Sequence, residues 1–103
     1  MKKNNIENLF CIEIKNNAMS NSAHDKNLVK GDFLIFDKTL EAKLNRVAIV
    51  KNNHNDTFIA LLSKNPKNEL VGRFINENHK DVVIPVERVL GIATKKISNV
   101  RYF

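Results

Sequence analysis

Side chains able to do covalent or acid–base chemistry are few and scattered along this chain. It holds one thiol, Cys11, and three imidazoles, His24, His54 and His79. The histidines sit in polar segments without metal-ligand spacing, so they read as surface rings and no metal site is expected. Cys11 alternates onto the side of Glu13 and Lys15 and has no activating base nearby in sequence, which suits an inert thiol. Ser20 and Ser22 fall in a polar loop, and Lys51 and Lys64 flank a hairpin. A Ser–Lys pair would need the hydroxyl within hydrogen-bond reach of an amine desolvated enough to be neutral. Polar loops in a lysine-rich chain supply such residues by chance. Asn55-Asp56-Thr57 fits a glycosylation acceptor, a match with meaning only in an exported protein. Nothing in the sequence asks for a cofactor.

The elements that must position these groups are short apolar runs bounded by turn formers, a pattern of strands rather than helices. Residues 9–15 alternate, with Phe10, Ile12 and Ile14 on one face. Residues 16–30 are polar and irregular. Gly31-Asp32 then opens the run Phe33-Leu34-Ile35-Phe36, apolar on both faces and expected to be buried. Residues 46–51 give a second buried strand, and the Asn-rich cluster 52–56 reads as a hairpin turn into 57–62. Segments 69–75, 82–84 and 89–97 complete the set. Residues 38–44 have helical propensity over only about two turns, too little to carry a fold. About seven short strands with little helix predict an all-β partly closed barrel or sandwich, forming one domain over residues 1–103.

At 103 residues with 43% apolar content, the chain can build one small core. No apolar run approaches the roughly 20 residues that span a bilayer. The apolar stretch after Met1-Lys2-Lys3 is too short for an export signal, and a lone cysteine suits a reducing compartment, so a cytoplasmic location is expected. The net charge is +6. Its lysines are spread along the chain among acids, and most aromatics fall inside apolar runs. That describes a solvated, mildly basic surface better than a stacking platform for bases. Weak, salt-dependent attraction to DNA follows from the charge alone.

Taken in order, these pieces resemble the C-terminal self-cleavage domain shared by LexA, UmuD and lambdoid phage repressors. The family pattern is an apolar strand leading into Gly-Asp/Met-Ser-Met, a loop closing on Gly-Asp, two apolar strands, a hairpin arm bearing the Lys, an Asn-containing turn, and a last strand with an internal Gly. Here the first strand and motif read Phe10-Cys11-Ile12-Glu13-Ile14-Lys15-Asn16-Asn17-Ala18-Met19. Gly31-Asp32-Phe33-Leu34-Ile35-Phe36-Asp37 is similar to the second conserved stretch, and Thr57-Phe58-Ile59-Ala60-Leu61 takes the place of the Lys-bearing segment. Asn76 falls near the family's Asn, and Val89-Leu90-Gly91-Ile92-Ala93 resembles the closing strand. The resemblance spans about residues 9–97.

In active relatives a Ser hydroxyl attacks a peptide bond of the same chain and a Lys amine takes its proton. By this resemblance the Ser position is Ala18, and the Lys position is Ile59, or Ala60 in the adjacent register. Neither type can serve. Losing the nucleophile of such a unit costs on the order of 10⁶ in rate. The family's Ala-Gly or Cys-Gly cleavage dipeptide is also missing from residues 1–8. The resemblance therefore implies a pseudo-peptidase, and the apolar Ile59 argues for natural decay over a laboratory substitution of the Ser alone.

What the family domain does besides cutting is dimerise, commonly through C-terminal segments. The expected interface residues are Val89, Ile92, Ile97, Val100, Tyr102 and Phe103, on the argument that an apolar edge strand is a pairing template. The expected partner is a second copy or a LexA/UmuD-like protein, and no helix-turn-helix is present to contact DNA. The leading expectation is a non-cleaving association module of a repressor or SOS-type regulator. An autopeptidase inactivated by substitution and a small basic nucleic-acid-binding β-barrel are the alternatives.

Overall fold

The computed structural model describes residues 8–98. Seven strands form, and they are the expected ones: β1 (Leu9–Glu13), β2 (Phe33–Asp37), β3 (Val47–Lys51), β4 (Thr57–Lys64), β5 (Leu70–Arg73), β6 (Val83–Pro85) and β7 (Arg88–Ile97). The helical content described is one 3₁₀ turn, Glu77–His79. All seven strands join a single antiparallel sheet in the order β1-β2-β7-β3-β4-β5-β6. The sheet is open, since β1 and β6 end it and do not pair with each other.

Two hairpins explain part of the asparagine content. Asn52 accepts from the backbone N–H groups of His54 and Asp56, and Asn55 adopts a left-handed φ of 70°. The next hairpin repeats this device: Asn65 accepts from Lys67 and Glu69, and Asn68 sits at φ 66°. Both read Asn-x-x-Asn-acid in sequence. Asn suits both positions, because its side chain mimics a backbone turn and it tolerates the left-handed region. Residues 38–44 form turns, not a helix. Asp37 ends β2 by accepting from the N–H and the hydroxyl of Thr39, at 2.8 and 2.6 Å, which diverts the backbone from a helical start.

Side chains alternate between two faces, and each face has its own core. On one, Leu34, Phe36 and Val47 pack with Ile14, Met19 and Leu28 from the ends of the long loop after β1. On the other, Ala48, Val50, Ala60, Leu62, Ile84 and Ile92 form the second cluster, under the β5–β6 arm. Phe74 touches both. Phe10 and Phe36 stack at 5.2 Å between ring centroids on the first face. Gly91 lies beneath them: a Cβ there would come within 3.0 Å of the Phe10 ring, which gives the glycine of the last strand its physical reason.

The expectation that 33–36 is buried on both sides needs correction. Leu34 and Phe36 are buried, but Phe33 is exposed and Ile35 only half-buried. Nothing covers the second face of β1–β2 among the described residues, since the β5–β6 arm lies at the other end of the sheet.

Candidate functional site

The loop after β1 turns back on itself and is tied down at both ends. Asn16 Oδ1 accepts from the Ala18 N–H at 2.9 Å, fixing a tight turn. Ala18 O accepts from Asn76 N at 3.0 Å, and Asn76 Nδ2 donates to Asn17 O at 2.7 Å. Met19 is buried beside them, and its carbonyl accepts from Leu28 N at 2.8 Å, drawing the far end of the loop close. The loop closes at Gly31, whose φ of 97° lets the chain re-enter the sheet at buried Asp32.

Ile59 reaches the same place from β4. It pairs with Ile49 of β3 and joins the first core cluster. Ala18, Met19, Ile49, Ile59 and Phe74 line one pocket of about 250 Å³, with the stretch from Ile12 to Asn16 along its side. The structure thus brings together the two positions that the resemblance aligns with the Ser and the Lys. It also separates the two registers. Ala60 is fully buried in the second cluster, on the opposite face, so only Ile59 shares a pocket with Ala18.

The pocket's chemistry is apolar, with polar groups at its edge. Lys15 Nζ pairs with Glu13 Oε1 at 3.1 Å, and Thr57 stands at the start of β4. No serine, cysteine or histidine is among its lining residues. Ser20, Ser22, Lys51 and Lys64 are likewise absent from that lining.

The remaining residues singled out from the sequence lie apart. His24 Nδ1 accepts from Lys26 N at 2.9 Å, His54 is exposed on the first hairpin turn, and His79 packs edge-on to Phe74. No group of three potential metal ligands occurs among the described residues. Asn55, Asp56 and Thr57 lead from the hairpin turn into β4. Cys11 is exposed, opposite Ile35. The Thr39 hydroxyl and N–H hold the Asp37 carboxyl below the usual aspartate value of 3.8.

The expected interface changes most. From Arg88 to Ile92 β7 is not an edge strand but pairs with β3, and it lies between β2 and β3 in the sheet order. Ile92 has no exposed surface and belongs to the second core, so it cannot meet a partner. Val89 is half-buried against that core, whereas Ile97 is 45% exposed. Val100, Tyr102 and Phe103 lie outside the described residues.

Residues that sequence reading missed replace them. Leu9, Cys11, Phe33, Ile35 and Ile97 share the uncovered face of β1, β2 and β7, as the pairs Cys11–Ile35 and Phe33–Ile97 require. The period-two spacing of Leu9 with Cys11 and of Phe33 with Ile35 was the available signal. Which face stays open depends on strand order, which that spacing does not carry.

No protein-family model matches the chain, and no curated protein matches it either.

Proposed function

We propose that the chain is a non-cleaving association module related in design to the LexA-type self-cleavage domain, and that it pairs with a second copy through the open face of β1, β2 and β7. The observation that carries the first half is the meeting of Ala18 and Ile59 on one pocket. The two positions are 41 residues apart and are aligned with a nucleophile and its base by the resemblance, so their sharing a pocket supports this reading. With a methyl group and a branched alkyl chain there, a peptide bond placed in the pocket meets no nucleophile and no proton acceptor at those positions.

The second half follows from the uncovered face. Leu9, Phe33 and Ile97 are each at least 36% exposed, in one strip with Ile35 and Cys11. A sheet face this apolar is stabilised by being covered. Glu13, whose carboxylate also holds Lys15, and Lys95 lie at opposite flanks of that face, in register with Phe33 and Ile35 respectively. A copy related by a two-fold parallel to the strands brings the acid of one flank over the base of the other, so the strip is complementary to itself.

Mass by light scattering over a concentration series tests this reading. A dimer is expected, and Phe33→Glu or Ile97→Glu should convert it to monomer with the fold intact by circular dichroism. A wild-type monomer at every concentration would refute self-association.

A further inference from the structure

A second cavity, of about 230 Å³, lies where β3 runs out against β7. The pairing of β3 with β7 extends from Lys51–Arg88 only as far as Ala48–Ile92. Beyond that point residues 93–97 pair with β2 alone among the described residues, so the lane that β3 occupies is vacant beside them. Arg46 stands at the entrance to this lane. Its Nη2 donates to Ala93 O at 3.3 Å, so the first carbonyl past the end of β3 is met by a side chain and not by a strand.

The lining has a definite chemistry. Leu28, Leu34 and Val47, all buried, make an aliphatic floor. Lys26, Arg46 and Lys96 stand around it, and Lys95 borders the cavity from the Ile35 face of the sheet. Among the described residues none of these four forms an ion pair; Lys96 Nζ reaches only the carbonyl of Asn27, at 3.4 Å. The one acid at the rim, Asp25, is largely exposed, its carboxylate 3.2 Å from His24 Nδ1, which accepts from Lys26 N. A half-buried guanidinium and two ammonium groups over the floor, against one exposed carboxylate at the rim, favour an anionic ligand.

We propose that this cavity docks an extended acidic segment of a partner protein, with one aliphatic side chain on the floor and carboxylates on the surrounding cations. The segment continues the lane of β3, so its backbone hydrogen-bonds to residues 93–97 as an added strand. The aliphatic floor selects this occupant over a nucleic acid. A phosphodiester has no use for such a floor, and with no aromatic ring in the lining a base has nothing to stack on. The cavity borders the open face at Lys95, but its floor of Leu28, Leu34 and Val47 belongs to the other face of the sheet, so the two readings are tested by different residues.

Fluorescence anisotropy with a labelled octapeptide of alternating Glu and Leu tests the proposal. Saturable binding is expected, weakening with salt, while a Lys–Leu octapeptide should not bind. The double substitution Lys26→Glu with Lys96→Glu reverses two rim charges away from the open face. It should weaken binding by about tenfold or more while leaving the mass by light scattering unchanged. Hydrogen exchange on the wild-type protein gives a reading that needs no variant: the peptide should slow exchange of amides within residues 93–97. No saturable binding, equal affinity in the variant, protection confined to other strands, or more effective displacement by a thymidine oligonucleotide than by unlabelled peptide would each overturn the proposal.

Discussion

One loop, residues 15–31, lines both cavities, and the two could hardly differ more. At its first turn Ala18 and Met19 face a pocket whose walls are Ile49, Ile59 and Phe74. At its far end Lys26 and Leu28 face a cavity ringed by cations. The Met19–Leu28 hydrogen bond joins the two ends, and both residues belong to one core cluster. The contrast teaches that a shared scaffold can carry two independent chemistries. The pocket at Ala18 holds the two positions that the resemblance aligns with a Ser and a Lys, and apolar side chains fill them. The cavity at Arg46 holds cations that form no ion pair among the described residues.

The largest test of this contrast strikes what the cavities share. Met19→Ala removes a buried side chain from the common core and should cost about 2–5 kcal/mol in urea denaturation. If the loop is one unit, the same variant should also weaken binding of the acidic octapeptide, although Met19 does not line the cationic cavity. Stability lost with binding unchanged would show that the two ends of the loop are held independently.

A smaller effect is expected from placing a Lys at the position the resemblance aligns with the family's base. Ile59→Lys places an amine in a half-buried apolar position of the pocket that Ala18 lines, where position 18 offers it no hydroxyl. Desolvation without a matching partner should cost about 1–3 kcal/mol at neutral pH. Less should be lost in alkaline solution, where the neutral amine suits the site. Equal stability of variant and wild type at pH 7 would mean that the position is wetter than its neighbours Ile49 and Phe74 suggest.

This pair of cavities also shows what could be read from the sequence. The strands were legible because alternation and Asn-rich turns are local: Phe10, Ile12 and Ile14 had to share a face, and Asn52 and Asn55 announced a hairpin. Ala18 and Ile59 were legible as a pair only through the order of motifs along the chain, since no local rule links them. The cationic cavity was not legible. Lys26, Leu34, Arg46 and Lys96 come from four separate segments, and the vacant lane exists only because β7 inserts between β2 and β3. That insertion also explains the error over Ile92. Period and composition mark an apolar strand equally well at a sheet's edge and at its centre, and the centre buries the side chain.

The finest test separates the two ends of the loop one hydrogen bond at a time. Asn76 holds the Ala18 end, donating from Nδ2 to Asn17 O and accepting from Asn78 N at 2.8 Å. Asn21 holds the stretch toward the cationic cavity, donating to Ile75 O at 3.0 Å while its N–H donates to Asn27 Oδ1 at 2.7 Å. Asn76→Ala removes the side-chain bonds but keeps the backbone bond from residue 76 to Ala18 O, so about 1 kcal/mol of stability should be lost. Hydrogen exchange should then quicken at Ala18 and Met19 and stay unchanged at Asn27 and Leu28. Asn21→Ala should reverse that pattern at similar cost. Should either variant loosen both ends together, the loop moves as a single body, and a ligand in the cationic cavity would be felt at the pocket where Ala18 and Ile59 meet.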